Sequence, residues 1–233
     1  MSGRDKEMPK IHKVVTTVWY NKENMRALRH VFSDAEFVYV DFYDREKLAE
    51  EVRDADVAIV MGDVDPCLLG ENTLQWIQCD HAGLNGSARP EVFERGIPVT
   101  GAAGRSAPVL AEHAVYFMLQ HCYHTKELLA AQKEHRWGVE GADHWRGLYG
   151  RTAGIIGMGN SGRCLAERLH AFGMNIIAYN RSPIDGLDYI DKKLCGKSGD
   201  TIEPLLRESD FIILTVALTN SYEFSRRVRH RHL

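Results

Sequence analysis

Three glycines, Gly157, Gly159 and Gly162, have the spacing G-x-G-x-x-G, whose chemistry depends on the elements around them. An apolar run at residues 153–156 predicts a strand before the glycines, and residues 175–179 predict a second strand after them. The helix between these strands is predicted to present an apolar face formed by Cys164, Leu165, Leu169 and Phe172. Glycines in such a strand–turn–helix allow a tight turn, backbone approach to a ligand and close packing of helix on sheet.

Anion binding follows from that arrangement, because the first N–H groups of a helix have no partner within the helix and lie at its positive dipole end. The pattern therefore predicts that the turn binds the pyrophosphate of a dinucleotide. The candidate cradle also includes Met158, Asn160 and Ser161, which lie between the glycines. The alternative is a glycine turn that serves packing alone.

The position about 20 residues beyond the glycines indicates which dinucleotide is bound. An acidic residue there accepts both ribose hydroxyls of NAD, whereas this chain has Asn180 followed by Arg181 and Ser182. A carboxylate would repel a 2′-phosphate, but these three side chains can donate hydrogen bonds to one, and a guanidinium is a bidentate phosphate ligand. The sequence thus favours NADP over NAD. The alternative is that Arg181 faces solvent and NAD binds with a weakened ribose contact.

The composition is that of an ordinary globular protein, with 233 residues, 44% hydrophobic and 26% charged, and a net charge of −3. This charge predicts no attraction to nucleic acid or to an anionic membrane. We expect no signal peptide in the polar opening, and no apolar run approaches the ~18–20 residues of a membrane span. The five cysteines are odd in number and include no C-x-x-C, which predicts reduced cysteines in a cytoplasmic protein.

Residues 1–104 alternate strands with helices, which is typical of a parallel sheet covered on both faces. The predicted strands are residues 13–19, 37–42, 57–61, 74–79 and 97–100. A helix is predicted at residues 44–54, with Leu48, Val52 and Ala55 on one face. This order predicts an α/β domain of the flavodoxin-like type.

Residues 105–219, which follow a candidate hinge at residues 101–104, predict a second α/β domain built on the glycine turn. Residues 107–131 predict one long helix, and residues 211–218 predict an apolar strand of the kind buried on both faces. The buried side of the long helix is predicted to contain Leu110, Ala114, Phe117, Met118 and Leu128. A doubly wound sheet has the strand order 3-2-1-4-5-6, so a domain that ends after its fourth strand is expected to leave residues 211–218 as an exposed apolar edge.

Five segments carry a resemblance to a known family. They are residues 74–85 (LQWIQCDHAGLN), 95–100 (RGIPVT), 110–113 (LAEH), 148–162 (LYGRTAGIIGMGNSG) and 209–219 (SDFIILTVALT). In this order they resemble the D-isomer-specific 2-hydroxyacid dehydrogenases. The resemblance implies a flavodoxin-like substrate domain and a doubly wound (Rossmann) NAD(P)-binding domain, incomplete after its fourth strand. It also implies hydride transfer on small 2-oxo or 2-hydroxy acids.

The resemblance further implies roles for particular residues. The backbone N–H groups of Gly83 and Leu84 would bind the carboxylate of the substrate, the alternative being a plain strand-to-helix turn. Ala217 lies in the segment similar to the family's fourth strand and would border the cofactor. The helix at residues 107–131 would form the contact of a homodimer.

The catalytic residues of the family have no match in this sequence. Its chemistry needs an arginine that binds the substrate, a histidine that transfers a proton and a carboxylate that tunes the pKa of that histidine. In the family these follow the fourth strand, the arginine in an N-x-A-R-G-like segment that this chain lacks. We therefore assign no catalytic residue and no metal ligand, and expect little turnover. Five histidines have no recognisable partner in the sequence and receive no catalytic role: His113, His121, His124, His135 and His144.

Two further expectations concern the whole chain. The alternative to an enzyme is a non-catalytic dinucleotide sensor or scaffold, like the corepressor branch of the family. Residues 220–233 form an aberrant basic tail that ends in SRRVRHRHL. This tail could be a basic arm for nucleic acid or lipid, or a solvated segment without function. The favoured interpretation is that it replaces the natural continuation, so that the chain is truncated.

Overall fold

The computed structural model describes residues 10–217, and the chain divides into two compact units with the boundary between Ala103 and Gly104. Each unit contains its own parallel sheet and hydrophobic core. The α/β fold class predicted from the sequence is confirmed. Among residues 10–217, no helix has the length and apolar character that a membrane crossing requires. The basic tail at residues 220–233 lies outside the described residues.

A five-stranded parallel sheet forms the centre of the first unit, in the order β2-β1-β3-β4-β5 that is typical of flavodoxin-like folds. Its elements are β1 (Lys13–Thr16), α1 (Lys22–Val31), β2 (Glu36–Tyr39), α2 (Arg45–Glu51), β3 (Val57–Val60), β4 (Trp76–Cys79), α3 (Pro90–Arg95) and β5 (Val99–Thr100). All five predicted strands are present, but they are shorter than predicted. For example, Trp19 lies beyond the end of β1 and is 74% exposed.

The sheet of the first unit buries both of its faces, because successive side chains of a strand point to opposite sides. Val15 of β1 packs in one cluster with Leu48, Val52 and Ala55, the three residues predicted to share a helical face. Val14, the preceding residue, belongs to a separate cluster on the other side of the sheet. The helical pattern at residues 44–54 therefore identified a buried surface, although α2 itself ends at Glu51.

The second unit has a four-stranded parallel sheet in the order β8-β7-β6-β9, which corresponds to strands 3-2-1-4 of a doubly wound sheet. Its elements are α4 (Ala107–Cys122), α5 (Thr125–Lys133), β6 (Thr152–Ile156), α6 (Asn160–Ala171), β7 (Asn175–Asn180), β8 (Lys192–Cys195), α7 (Glu203–Glu208) and β9 (Phe211–Leu214). Ile155 packs with Leu165 and Leu169 of α6 on one face of the sheet, while Ile156 packs with Leu205 of α7 on the other. The strand β8 was not predicted.

The prediction of one long helix at residues 107–131 is wrong, because α4 and α5 are separate helices. The backbone of His124 adopts the left-handed region, with φ 43° and ψ 52°, and this interrupts the helical hydrogen-bond pattern. The ring of His124 stacks on that of Trp145, with 4.7 Å between centroids. The stacked ring of Trp145 thus contacts the residue at which the helix is interrupted.

The predicted buried side of that helix is also largely wrong. Met118 is buried and Ala114 packs against the core, but Leu110, Phe117 and Leu128 are 54%, 63% and 43% exposed. The residues of α4 that are buried are Ala107, Ala111, Val115, Met118 and Cys122. Val115 and Met118 pack in one core cluster with Ile155 of β6 and Leu165 of α6.

Strand β9 is an edge strand of the second sheet within residues 10–217, as expected for a domain that ends after its fourth strand, although its apolar run alone is typical of a strand buried on both faces. Ile212 and Leu214 are 45% and 53% exposed, whereas Phe211 and Ile213 pack against the core that contains α4 and α6. Phe172 was likewise predicted to be buried but is 42% exposed, because α6 ends at Ala171 and Phe172 is its C-cap.

Candidate functional site

The glycine turn between β6 and α6 packs too closely for side chains at two positions. Gly157 has a φ of 101°, and a Cβ on it would meet Val216 and the backbone of Thr215 at 2.9–3.0 Å. A Cβ on Gly162 would overlap the carbonyl oxygen of Gly157. The Thr215 hydroxyl donates a 2.5 Å hydrogen bond to that same carbonyl, so β9 and α6 both close on the turn. These contacts give the first and third glycines the roles predicted for them.

The second glycine, Gly159, has a different environment. It is the N-cap of α6, and a Cβ built on it would meet no atom within 4 Å. No side chain caps the first turn, so the leading N–H groups of α6 have no capping side chain as a partner. The first turn has no acidic residue that would repel an anion from the positive end of the helix dipole. Asn160 and Ser161 begin this helix.

Asn180 connects the end of β7 to the glycine turn. Its Oδ1 accepts a 3.3 Å hydrogen bond from the N–H of Met158, and its Nδ2 donates to the carbonyl of Ser182 at 2.9 Å. Met158 is buried, and the N–H of Gly157 donates to the carbonyl of Tyr179. The end of β7 is thus fixed beside the turn, and Asn180, Arg181 and Ser182 lie at the same edge of the sheet as the glycines.

Arg181 is exposed, and a turn that follows β8 holds its backbone. Its carbonyl accepts a 2.9 Å hydrogen bond from the N–H of Lys197, and the thiol of Cys195 lies 3.6 Å from the same oxygen. Within residues 10–217 the guanidinium itself has no hydrogen-bond or ion-pair partner. It is therefore available for a ligand at this edge.

Cys195 is expected to be more reactive than Cys67, Cys79 and Cys122. The hydroxyl of Ser198 donates to it and lowers the pKa of the Cys195 thiol, whereas burial raises the pKa of Cys67 to about 12. Burial also raises the pKa of Cys79 and Cys122. Because the thiolate is the nucleophile, iodoacetamide near neutral pH should label Cys195 well before these three. Peptide mass spectrometry over time measures the order.

A matched variant tests the cause of that order. Ser198→Ala removes the donor and should slow the labelling of Cys195 while leaving the rates at Cys67, Cys79 and Cys122 unchanged. Labelling of Cys195 at the rate of a buried thiol in the unmodified protein would contradict the expectation.

The end of β9 completes this edge of the sheet. Thr215 and Val216 contact the glycine turn, and Ala217 follows them in an exposed position. A cavity of about 380 Å³ lies beside Ser161 of α6, between α4 and the end of β9. The structure therefore brings all the sequence-predicted cofactor residues to one edge of the second unit.

The predicted substrate residues lie in the first unit, in the loop after β4. Gly83 is exposed, with open space around it, and Leu84 is partly buried and accepts hydrogen bonds from the N–H groups of Ser87 and Ala88. Sequence reasoning missed a pair beside this loop: Nε2 of His81 lies 3.8 Å from Oδ1 of Asp63. A histidine next to an acidic residue distant in the chain offers no pattern from which to predict the pair.

Sequence reasoning also missed Arg163, whose Nε donates to the carbonyl of Met158 at 3.1 Å and so holds a cation beside the glycine turn. Two of the unassigned histidines lie against aromatic rings. His121 packs edge-on against Phe211, and His124 faces Trp145 rather than His121. Among the described residues no group of His, Cys, Asp or Glu has the geometry of a metal site.

Comparisons with known proteins bear on this geometry. Residues 115–224 match the family model for the NAD binding domain of D-isomer specific 2-hydroxyacid dehydrogenases. Over 218 residues the chain is 31% identical to a hydroxypyruvate reductase of Thermotoga maritima, which covers 91% of this chain and 64% of that protein. It is also 31% identical over 184 residues to a glyoxylate reductase of Pyrococcus furiosus, covering 75% of this chain and 54% of that protein.

A solved structure shows the same fold. An acyclic imino acid reductase in complex with NADPH and D-Arg superposes with a TM-score of 0.72 at 18% identity, covering 93% of this chain and 69% of that one. The chain spans 64% of the length of the hydroxypyruvate reductase and 54% of that of the glyoxylate reductase.

Proposed function

Because this chain belongs to the family of D-isomer specific 2-hydroxyacid dehydrogenases, we propose that it binds NADP(H) and serves hydride transfer on small 2-oxo or 2-hydroxy acids. The observation that carries the proposal is the glycine turn. A Cβ would fill it at Gly157 and Gly162, while Gly159 is open to a ligand. This pattern fits a pyrophosphate that lies against the backbone and against the N-terminus of α6.

The preference for NADP rests on the side chains at the end of β7. Asn180 keeps its amide group beside the turn, Arg181 carries a guanidinium without a partner in residues 10–217, and Ser182 offers a hydroxyl. None of the three repels a phosphate. A guanidinium binds a 2′-phosphate more strongly than it binds a ribose hydroxyl, so NAD is the second choice.

The bound nicotinamide would supply or accept the hydride. The residues of this chain would hold the dinucleotide by its pyrophosphate. The N–H groups of α6 and the cation of Arg163 beside the turn would bind this group. In the first unit, the backbone of Gly83 and Leu84 is proposed to bind the substrate carboxylate. We assign no proton-transferring residue among residues 10–217, and slow turnover by this chain is part of the proposal.

Titration with NADPH and NADH tests the binding, followed by the fluorescence of the reduced nicotinamide. We expect NADPH to bind at least tenfold more tightly than NADH, because a charge-assisted hydrogen bond contributes about 1.5–3 kcal/mol. Absence of binding by either nucleotide would overturn the proposal, and equal affinities would overturn only the preference for NADP.

A second candidate function is that of a non-catalytic dinucleotide sensor. A turnover assay on the same purified protein distinguishes the sensor from the enzyme. Oxidation of NADPH with glyoxylate or hydroxypyruvate, followed by absorbance, should be slow if the chain acts as proposed. Binding of NADPH without any turnover favours the sensor. Turnover at an ordinary enzyme rate would contradict the proposed impairment.

We also propose that the chain forms a homodimer and acts in the cytoplasm. The outward face of α4 presents Val109, Tyr116 and Phe117, which are 53%, 54% and 63% exposed. Apolar side chains grouped on one helix face are typical of a contact surface. The five cysteines are free, which accords with a reducing compartment. Light scattering of the purified protein should give twice the mass of one chain.

A further inference from the structure

The turn after β8 packs directly against the end of β7. Asn180 is the register partner of Cys195, and the N–H of Lys197 donates to the carbonyl of Arg181 at 2.9 Å. A Cβ on Gly196 would lie 2.5 Å from the hydroxyl of Tyr179, so the turn approaches this side chain of β7 closely. The backbone of Lys197 is therefore held next to that of Arg181.

Internal hydrogen bonds keep the shape of this turn. The carboxylate of Asp200 accepts a 2.7 Å hydrogen bond from the N–H of Cys195, and the N–H of Asp200 donates back to the carbonyl of Cys195. The N–H of Gly199 donates to the carbonyl of Gly196, and Gly199 has a φ of 90°. Asp200 is the nearest acidic residue of the turn, and its carboxylate is already engaged with the backbone.

The lysines of this segment differ in what their ammonium groups contact. Nζ of Lys192 pairs with Glu208 at 2.7 Å, and Nζ of Lys193 donates to the carbonyl of Gly186. Lys197 is exposed, and its ammonium has no hydrogen-bond or ion-pair partner within residues 10–217. Arg181, whose backbone it contacts, also lacks such a partner there. Two uncompensated cations thus lie on adjacent backbone segments at the edge of the sheet where the cofactor is proposed to bind.

We propose that Lys197 is a second cation for the 2′-phosphate of NADPH and acts with Arg181 to select NADPH over NADH. The inference rests on the proposed function, because it assigns a residue to the same site. A doubly charged phosphate group attracts two cations at once, and a flexible ammonium can reach it from a neighbouring turn without the planar geometry that a guanidinium needs. NADH has only a hydroxyl at that position, and Lys197 contributes nothing to its binding.

The experiment measures the dissociation constants of NADPH and NADH for the unmodified chain and for Lys197→Ala, Lys197→Arg and Lys192→Ala. Lys197→Ala should weaken NADPH about fivefold, the effect of one exposed charge pair, and should leave NADH unchanged. Lys197→Arg keeps the charge and should restore NADPH binding. Lys192→Ala is the matched control, because it removes an equal charge from the far end of β8 and should change neither constant.

The dependence of nucleotide binding on salt concentration gives an independent test. The ratio of the two dissociation constants should depend less on salt in Lys197→Ala than in the unmodified chain, since one phosphate contact is lost. If NADPH is preferred and Lys197→Ala leaves that preference intact, the inference is wrong and the proposed function stands. If the unmodified chain binds NADPH and NADH equally, the proposed preference fails and Lys197 has no phosphate to select. A fall with Lys192→Ala as large as with Lys197→Ala would assign the effect to net charge and overturn the inference.

Discussion

Gly162→Ala is expected to destabilise the second unit by about 2 kcal/mol and to remove detectable binding of NADPH. The added methyl group would overlap the carbonyl oxygen of Gly157 and approach the hydroxyl of Thr215. Neither atom can move freely, because the Thr215 hydroxyl already donates to that carbonyl and Gly157 is fixed to Tyr179. The helix α6 must therefore shift away from the turn, and its N–H groups leave the position at which they would meet the pyrophosphate.

Urea unfolding measures the loss of stability, and hydrogen exchange in peptides from β6 and α6 assigns it to the turn. Alanine favours a helix over glycine by about 1 kcal/mol, so any net loss at Gly162 must come from the overlap. An unchanged or increased stability would show that the close packing at this glycine does not limit the structure.

Gly159→Ala is the matched comparison, because it adds the same methyl group to the same turn in open space. Its φ of −76° suits alanine, and the weaker N-cap should cost only about 0.5 kcal/mol. Binding of NADPH should nevertheless weaken at least tenfold, since the methyl group occupies the space that a pyrophosphate would need. The two variants thus separate packing from ligand approach. Unaltered affinity in Gly159→Ala would mean that no ligand approaches the backbone there.

Asn180→Asp is expected to change the ratio of NADPH to NADH affinity by about 100-fold in favour of NADH. The aspartate has nearly the same shape, so its Oδ1 can still accept from the N–H of Met158. At neutral pH its charge would repel a 2′-phosphate, and its two oxygens could accept both ribose hydroxyls of NADH. About tenfold should come from weaker NADPH binding and about tenfold from tighter NADH binding, each corresponding to about 1.4 kcal/mol.

The substitution also removes the donor to the carbonyl of Ser182, which should cost about 1 kcal/mol of stability without unfolding the chain. Asn175→Asp is its control, because Asn175 is exposed at the opposite end of β7 and undergoes the same chemical change. Titration of both variants with the two nucleotides gives the ratios. An equal shift in Asn175→Asp, or none in Asn180→Asp, would rule out a ribose contact at residue 180.

The elements that the sequence predicted well are those whose apolar residues repeat with a clear period. The glycine turn could be placed because a buried strand precedes it and Leu165 and Leu169 follow at helical spacing. Strand β8 has the sequence Lys-Lys-Leu-Cys and lies at the edge of its sheet, where only Leu194 is buried. A single buried side chain has no period, so this strand and the turn that carries Lys197 could not be predicted.

The division between α4 and α5 was missed for a different reason. Residues 107–131 contain no proline or glycine beyond the first turn, and their helix propensity is nearly continuous. The break depends on His124, which adopts a left-handed backbone and stacks on Trp145, a residue distant in the sequence. For the same reason the role of Thr215 was missed, since only the folded sheet brings it to Gly157.

The Thr215–Gly157 hydrogen bond joins positions 58 residues apart, whereas β6, α6 and β7 follow one another along the chain. In kinetic terms the strand–helix–strand part of the cradle has low contact order, but its last bond requires closure of a long loop. During synthesis the glycine turn would be formed well before Thr215 is available to lock it. A nucleotide that favours the locked form would then stabilise the docking of β9, a strand it does not need to touch.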